Sequence, residues 1–269
     1  MSRLRPVLAG TWLYVVAVAA SFAIATLASP AGVSGAVLLL PFQVSVLGTP
    51  SPAVTPTNLL YNVVATPGAL YRYRRQGQTG GALTRVLVVG TLPGVIAGSI
   101  IRVELLPGTR PFELVIALVL VPLGGSLVAR KKSQDAALPS TAWLSALPLG
   151  MVAAAVGCVG GIYGIGGGSV LAPLLMRSGR LPAEVAPATL AATLVTSIAG
   201  VATFLVLSIQ HRGSIAPDWG VGLALGVGGL AGGYLGARLQ PRLAEVTIRR
   251  LLGFLVIAVG IRYGWLGLR

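Results

Sequence analysis

The sequence is poor in charge. Only 10% of its 269 residues are Asp, Glu, Lys or Arg, whereas 55% are hydrophobic. A soluble globular domain carries about 25% charged residues, so this chain lacks the polar surface to cover itself in water. Acidic side chains are the scarcest, six against twenty Lys and Arg, for a formal charge of +14. One cysteine, Cys158, excludes an internal disulfide and a cysteine-only metal site. Its Ala, Val and Gly surroundings suit a small, inert, buried residue. The six acids (Glu104, Glu113, Asp135, Glu184, Asp218, Glu245) and the one histidine, His211, fall near the ends of apolar runs. That distribution speaks against an intramembrane enzyme, which needs a nucleophile–base pair or a metal cluster. It also speaks against a buried-carboxylate site for a proton or sodium ion. No catalytic residue, metal or cofactor is expected.

Long hydrophobic runs are plentiful. Several windows of 16 to 23 residues carry no charge, about the length that crosses a hydrocarbon core of about 30 Å. The composition therefore gives an all-α integral membrane protein. Eight spans are expected, at 12–28, 56–71, 83–101, 112–129, 143–161, 187–209, 216–237 and 251–266. The first follows Arg3 and Arg5 as a signal peptide would, but it exceeds the usual apolar core of about 7–15 residues and is read as a retained helix. Basic residues cluster between runs, as in Arg72, Arg74, Arg75 and Arg130, Lys131, Lys132. Such clusters are the pattern of cytoplasmic topogenic charge and not of a nucleic-acid partner.

The chain reads as one membrane domain written twice, 1–130 and 141–269, about four helices each, with a polar seam at 129–140. "GVSGAVLLLPF" (32–42) matches "GIGGGSVLAPL" (164–174) at an offset of 132, and "PAVTPTNLLYN" (52–62) matches "AEVAPATLAAT" (183–193) at 131. Gly90, Gly94 and Gly98 match Gly228, Gly232 and Gly236 at 138. Two stretches, 36–47 and 169–176, are too short to cross at 1.5 Å per residue and are read as broken or re-entrant segments near the midplane. Eight spans with a cytoplasmic N-terminus put 12 basic residues inside and 8 outside and make the halves parallel. Ten spans with the N-terminus outside give 13 against 7 and inverted halves; eight are preferred.

The run "GGIYGIGGGSVLAPLL" (160–175) invites a nucleotide-loop reading, which fails. From Gly164 the third glycine of G-x-G-x-x-G falls on Ser169, and no Lys-Ser or Lys-Thr follows. Glycine costs roughly 1 kcal/mol per helix-interior position, so Gly164, Gly166, Gly167 and Gly168 break the helix. Freed backbone groups survive in lipid only where protein or a watery cavity satisfies them, and broken helices build many transporter sites. A helix restarting near Ser169 aims backbone N–H groups at the break, which suits an anion. The weaker break holds Gly32, Ser34 and Gly35. Asn58, Asn62 and Thr66 form one helical stripe beside it, and Thr189, Thr193 and Ser197 form the matching one. Glycines at every fourth position are read as helix packing.

With "LPAEVAPATLAATLVTSIAGV" (181–201) following it, the glycine run resembles the signature of the TauE/SafE sulfite exporter family of bacterial permeases. The resemblance implies two homologous halves and transport of a small anion such as sulfite, thiosulfate or a sulfonate. It carries over to Gly164, Gly166, Gly167, Gly168 and Pro173; in the first half Ser34 and Ala36 stand where the motif has glycine. The expected protein is a multi-pass secondary transporter of the cytoplasmic membrane, in contact with lipid and a small anion. Its coupling ion (proton or sodium) and oligomeric state are open. A carboxylate cargo, or a membrane subunit without flux, are the competing readings.

Overall fold

The computed structural model describes residues 4–78, 81–106, 149–177, 180–210 and 215–242, with scattered helical positions between 114 and 128 and between 246 and 265. The expected spans 112–129 and 251–266 are described only at scattered positions, and the seam 129–140 and His211 lie outside the described residues. Eight α-helices run through the continuous segments: α1 (Leu4–Ala28), α2 (Ala36–Ser45), α3 (Val54–Arg75), α4 (Gly81–Glu104), α5 (Leu149–Tyr163), α6 (Gly168–Arg177), α7 (Pro182–Gln210) and α8 (Trp219–Leu239). No strand occurs among the described residues.

Among the described residues, four helices are long and apolar enough to cross a membrane: Thr11–Ala31, Gly81–Glu104, Pro182–Gln210 and Trp219–Arg242. Helix α3 matches them in length at 22 residues but gives positions to Thr55, Thr57, Asn58, Asn62 and Thr66, all buried. Large apolar side chains point outward instead, among them Trp12 and Phe22 on α1, Val89 and Ile100 on α4, Ile198 and Val206 on α7, and Leu223 and Val227 on α8. Polar inside and apolar outside is the arrangement that lipid as solvent selects.

Local sequence sets the helix ends. Helix α1 stops at Ser29-Pro30, where proline supplies no N–H, and a short 3-10 turn leads to Gly32. Asp218 caps α8, accepting a hydrogen bond from the Val221 amide at 3.0 Å. The short helices α2 and α6 have ten residues each, about 15 Å of rise, half a hydrocarbon core.

The helices pair across the chain. Helix α4 lies on α5 and touches α7, while α8 lies on α1 and touches α3; α3 and α7 also meet directly. Glycine makes these contacts close. A β-carbon at Gly98 would sit 2.8 Å from the Cys158 carbonyl carbon, and one at Gly94 2.8 Å from the Cys158 amide nitrogen. On the other pair, one at Gly232 would lie 2.9 Å from the Phe22 carbonyl carbon, and one at Gly236 2.5 Å from the Thr26 carbonyl oxygen. Thr26 and Cys158 are 132 residues apart, and Gly98 and Gly236 are 138 apart, the offsets that the sequence comparison gives.

Backbone contact of this kind leaves no room for a methyl group. Gly98→Ala should destabilise the protein by about 1–3 kcal/mol, the usual cost of overpacking. Gly150→Ala, on α5 with open space around it, should be neutral or stabilising, since alanine favours helix by up to about 1 kcal/mol. Thermal unfolding of the two variants in one detergent checks the difference; equal midpoints would refute the close approach.

Candidate functional site: two helix breaks face to face

Each break is built on a left-handed glycine. Gly32 has φ +68° and Gly164 φ +77°, and Gly166 adds a second at φ +71°. Both leading glycines also press on backbone: a β-carbon would lie 2.7 Å from Cα of Ala186 at Gly32 and 2.5 Å from the carbonyl of Thr55 at Gly164. Only glycine meets both demands. Ser34 occupies the position matching Gly166, yet no non-glycine residue among those described has a positive φ. The first break thus needs one left-handed residue where the second needs two, and serine is tolerated.

The breaks touch each other and the polar stripes. The Ser34 amide donates to Ser169 Oγ at 3.1 Å, and the Ser34 hydroxyl donates to Asn62 Oδ1. Asn62 Nδ2 reaches the Gly164 carbonyl at 3.5 Å. From the other side, the Thr189 hydroxyl lies 2.9 Å from the Gly32 carbonyl. Ser169 Oγ and Thr193 Oγ1 are 3.5 Å apart. Gly166 lies against Thr193 and Ser197, and Gly168 against Thr189 and Thr193. Asn58 turns toward α2, donating to the Ala36 carbonyl at 2.9 Å and accepting from Gln43 Nε2 at 2.8 Å. Thr66, with Ser34, Gly35 and Tyr61, lines a cavity of about 10 Å³, room for about one water.

The fourteen residues singled out by sequence are thus gathered in one buried region. One expectation is corrected: the amides at the breaks are not all open to a ligand. The Ser34 N–H is taken by Ser169, and the Gly167 N–H donates to Thr196 Oγ1 at 3.2 Å. Low-dielectric surroundings make an unmet N–H costly, and side-chain hydroxyls meet both of these. By contrast, Ser197 Oγ is buried with no hydrogen-bond partner among the described residues.

The model of the sulfite exporter TauE/SafE family matches residues 17–263. The chain belongs to that family. Among curated relatives, a probable membrane transporter protein of Xylella fastidiosa (strain 9a5c) is 29% identical over 87% of this chain and 88% of its own length. One from strain Temecula1 is 31% identical over 66% of each chain. A third, from Bacillus subtilis (strain 168), is 27% identical over 65% of this chain and 67% of its own. No solved structure matches. Membership makes this a multi-pass membrane protein of a transporter family, with a small-molecule substrate and a lipid environment.

This family member also buries groups that the sequence reading passed over. Thr196 follows Thr193 by three positions on the same face of α7, and Thr91 on α4 closes over Gly167. Arg102 is the largest correction. The expected span ends at 101, but α4 continues to Glu104 and Arg102 is fully buried. It donates to Thr55 Oγ1 at 3.2 Å, to Ser51 Oγ and to the Leu106 carbonyl. Thr55 in turn bonds the Ile162 carbonyl at 3.3 Å, so the guanidinium stands one residue behind the second break. Its position continues the stripe Gly94, Gly98 at the same four-residue spacing, a signal available in the sequence.

Ser197 separates structure from function. A buried hydroxyl without a partner is a cost of about 1–3 kcal/mol, so Ser197→Ala should leave the unfolding midpoint unchanged or raise it. If the hydroxyl serves substrate, the same change should raise the KM for transport several-fold. A stable variant with unaltered KM would remove Ser197 from the site.

Proposed function

We propose that the chain is a secondary transporter of a small anion in the cytoplasmic membrane, with sulfite, thiosulfate or an organosulfonate as the substrate class. The halves 1–130 and 141–269 would act as pseudo-symmetric units, a reading supported by the exchange of α4 and α8 onto the opposite half. The observation that carries the proposal is the hydrogen bonding that ties the breaks to each other and to the long helices, Ser34 to Ser169, Asn62 to Gly164 and Thr189 to Gly32. These donors are neutral hydroxyl, carboxamide and amide groups. An oxyanion entering there replaces one set of acceptors with another and can leave again, because none of the groups that make these bonds carries a charge.

The same bonds tie the two halves together, so exchanging them for bonds to an anion loosens the halves at the place where substrate sits. That links occupancy to movement of one half against the other, as alternating access requires. A carboxylate would satisfy the same donors, and the cargo is therefore a question of size and geometry.

Proteoliposomes loaded with sulfite, thiosulfate, sulfoacetate or acetate, under imposed proton and sodium gradients, test the proposal. Flux of a sulfur anion is expected; flux of acetate alone would transfer the reading to carboxylates, and no flux of any anion would overturn it. Gly167→Leu, whose β-carbon meets Thr91 side-chain atoms at 2.6 and 2.8 Å, should abolish flux without preventing insertion. Thr189→Val is the milder companion, expected to cut turnover roughly tenfold, as loss of one buried hydrogen bond of about 1.4 kcal/mol implies. Wild-type flux in both variants would sink the site assignment.

A further inference from the structure

On the outer face, α3 and α8 run together. Gly68 of α3 rests on the Leu230 backbone, and beside that contact lies an apolar groove of about 480 Å³ lined by Pro67, Gly68, Tyr71, Leu230, Ala231 and Tyr234. This is within the range of ligand pockets, roughly 300–1,000 Å³. Tyr71 and Tyr234 stack, with ring centroids 6.4 Å apart. Two arginines cover the rings: the Arg72 guanidinium carbon lies 6.0 Å from the centroid of Tyr234, and that of Arg75 5.4 Å from the centroid of Tyr71. Arg72 Nε is buried and has no hydrogen-bond partner among the described residues. Arg74 and Arg238 stand at the same helix ends, and neither α3 nor α8 contains an Asp or Glu. Asp218 caps the far end of α8, 16 residues before Tyr234, about 24 Å away along the helix.

An apolar trough that ends in stacked tyrosines and in arginines with no ion pair among the described residues suits one kind of molecule. A free anion would use the arginines and waste the groove. A zwitterionic lipid would fill the groove but bring its own cation to the arginines. A second copy of the chain, packed about a two-fold axis, would bring Arg72 and Arg75 toward their own images, a like-charge cost. Tyr and Arg at a helix end sit at headgroup depth. We infer that this groove is a binding site for an anionic phospholipid of the surrounding bilayer, with an acyl chain along Pro67, Leu230 and Ala231 and the phosphate against Arg72 and Arg75.

Native mass spectrometry of the full chain, exchanged into mixtures of phosphatidylglycerol and phosphatidylcholine, tests the site. The wild type should retain phosphatidylglycerol over phosphatidylcholine. Each Arg→Gln change should weaken retention about fivefold, the factor matching about 1 kcal/mol per basic residue at an anionic surface. The Arg72→Gln, Arg75→Gln pair should therefore lose about 25-fold, with phosphatidylcholine binding and the unfolding midpoint in phosphatidylcholine nanodiscs unaltered. Arg72→Lys with Arg75→Lys should keep most of the preference. Equal retention of the two lipids by the wild type, or of phosphatidylglycerol by wild type and double Gln variant, overturns the inference. So does dimerisation in lipid that Ala231→Trp abolishes, which would seat a second copy in the groove.

Discussion

In hydrocarbon, a backbone group released from a helix has no water to turn to, and that constraint organises the centre of this protein. Two chain breaks would each be costly alone. Brought together, they satisfy one another: the hydroxyl of Ser169 on one receives the amide of Ser34 on the other. The long helices supply the remainder, with Asn62 and Thr189 each reaching a carbonyl of the opposite break. Local irregularity is thereby converted into contact between distant parts of the chain. Every such contact is made by a neutral group that could accept a different partner.

Much of this was legible in the residues because it follows from simple counting. Four glycines among five residues cannot stay helical, ten residues cannot cross a bilayer, and polar residues four apart must share a face. The short helices α2 and α6 and the buried stripes follow from those limits. What pairs with what did not follow. No local pattern tells that α8 lies on α1, or that Thr196 occupies the Gly167 amide, since those are choices made between segments. The burial of Arg102 did not follow either, for another reason. Hydropathy treats a basic residue at the end of an apolar run as an exposed boundary, whereas Gly94 and Gly98 bring α4 so near to α5 that the next position on that face is sealed as well.

Charge divides the two breaks. Arg102 stands behind the one at Gly164, through Thr55 and the Ile162 carbonyl. At the corresponding offset of 138 the chain has Gln240, which donates to the Pro30 carbonyl at 2.7 Å, next to the break at Gly32. A cation in one place and a neutral amide in the other give the two sides unequal electrostatic character on a similar frame. The surrounding surface is uniform by comparison, apolar along the helices and basic at the α3 and α8 ends.

The glycine-lined seams between α4 and α5 and between α8 and α1 have a thermal consequence. Within a bilayer, joining helices expels lipid and not water, so these seams draw on dispersion and Cα–H···O contacts. Water release carries a large heat-capacity change and fades on cooling; close backbone contact has little of either. The seams should therefore hold nearly constant strength with temperature, unlike joints that rest on the release of water.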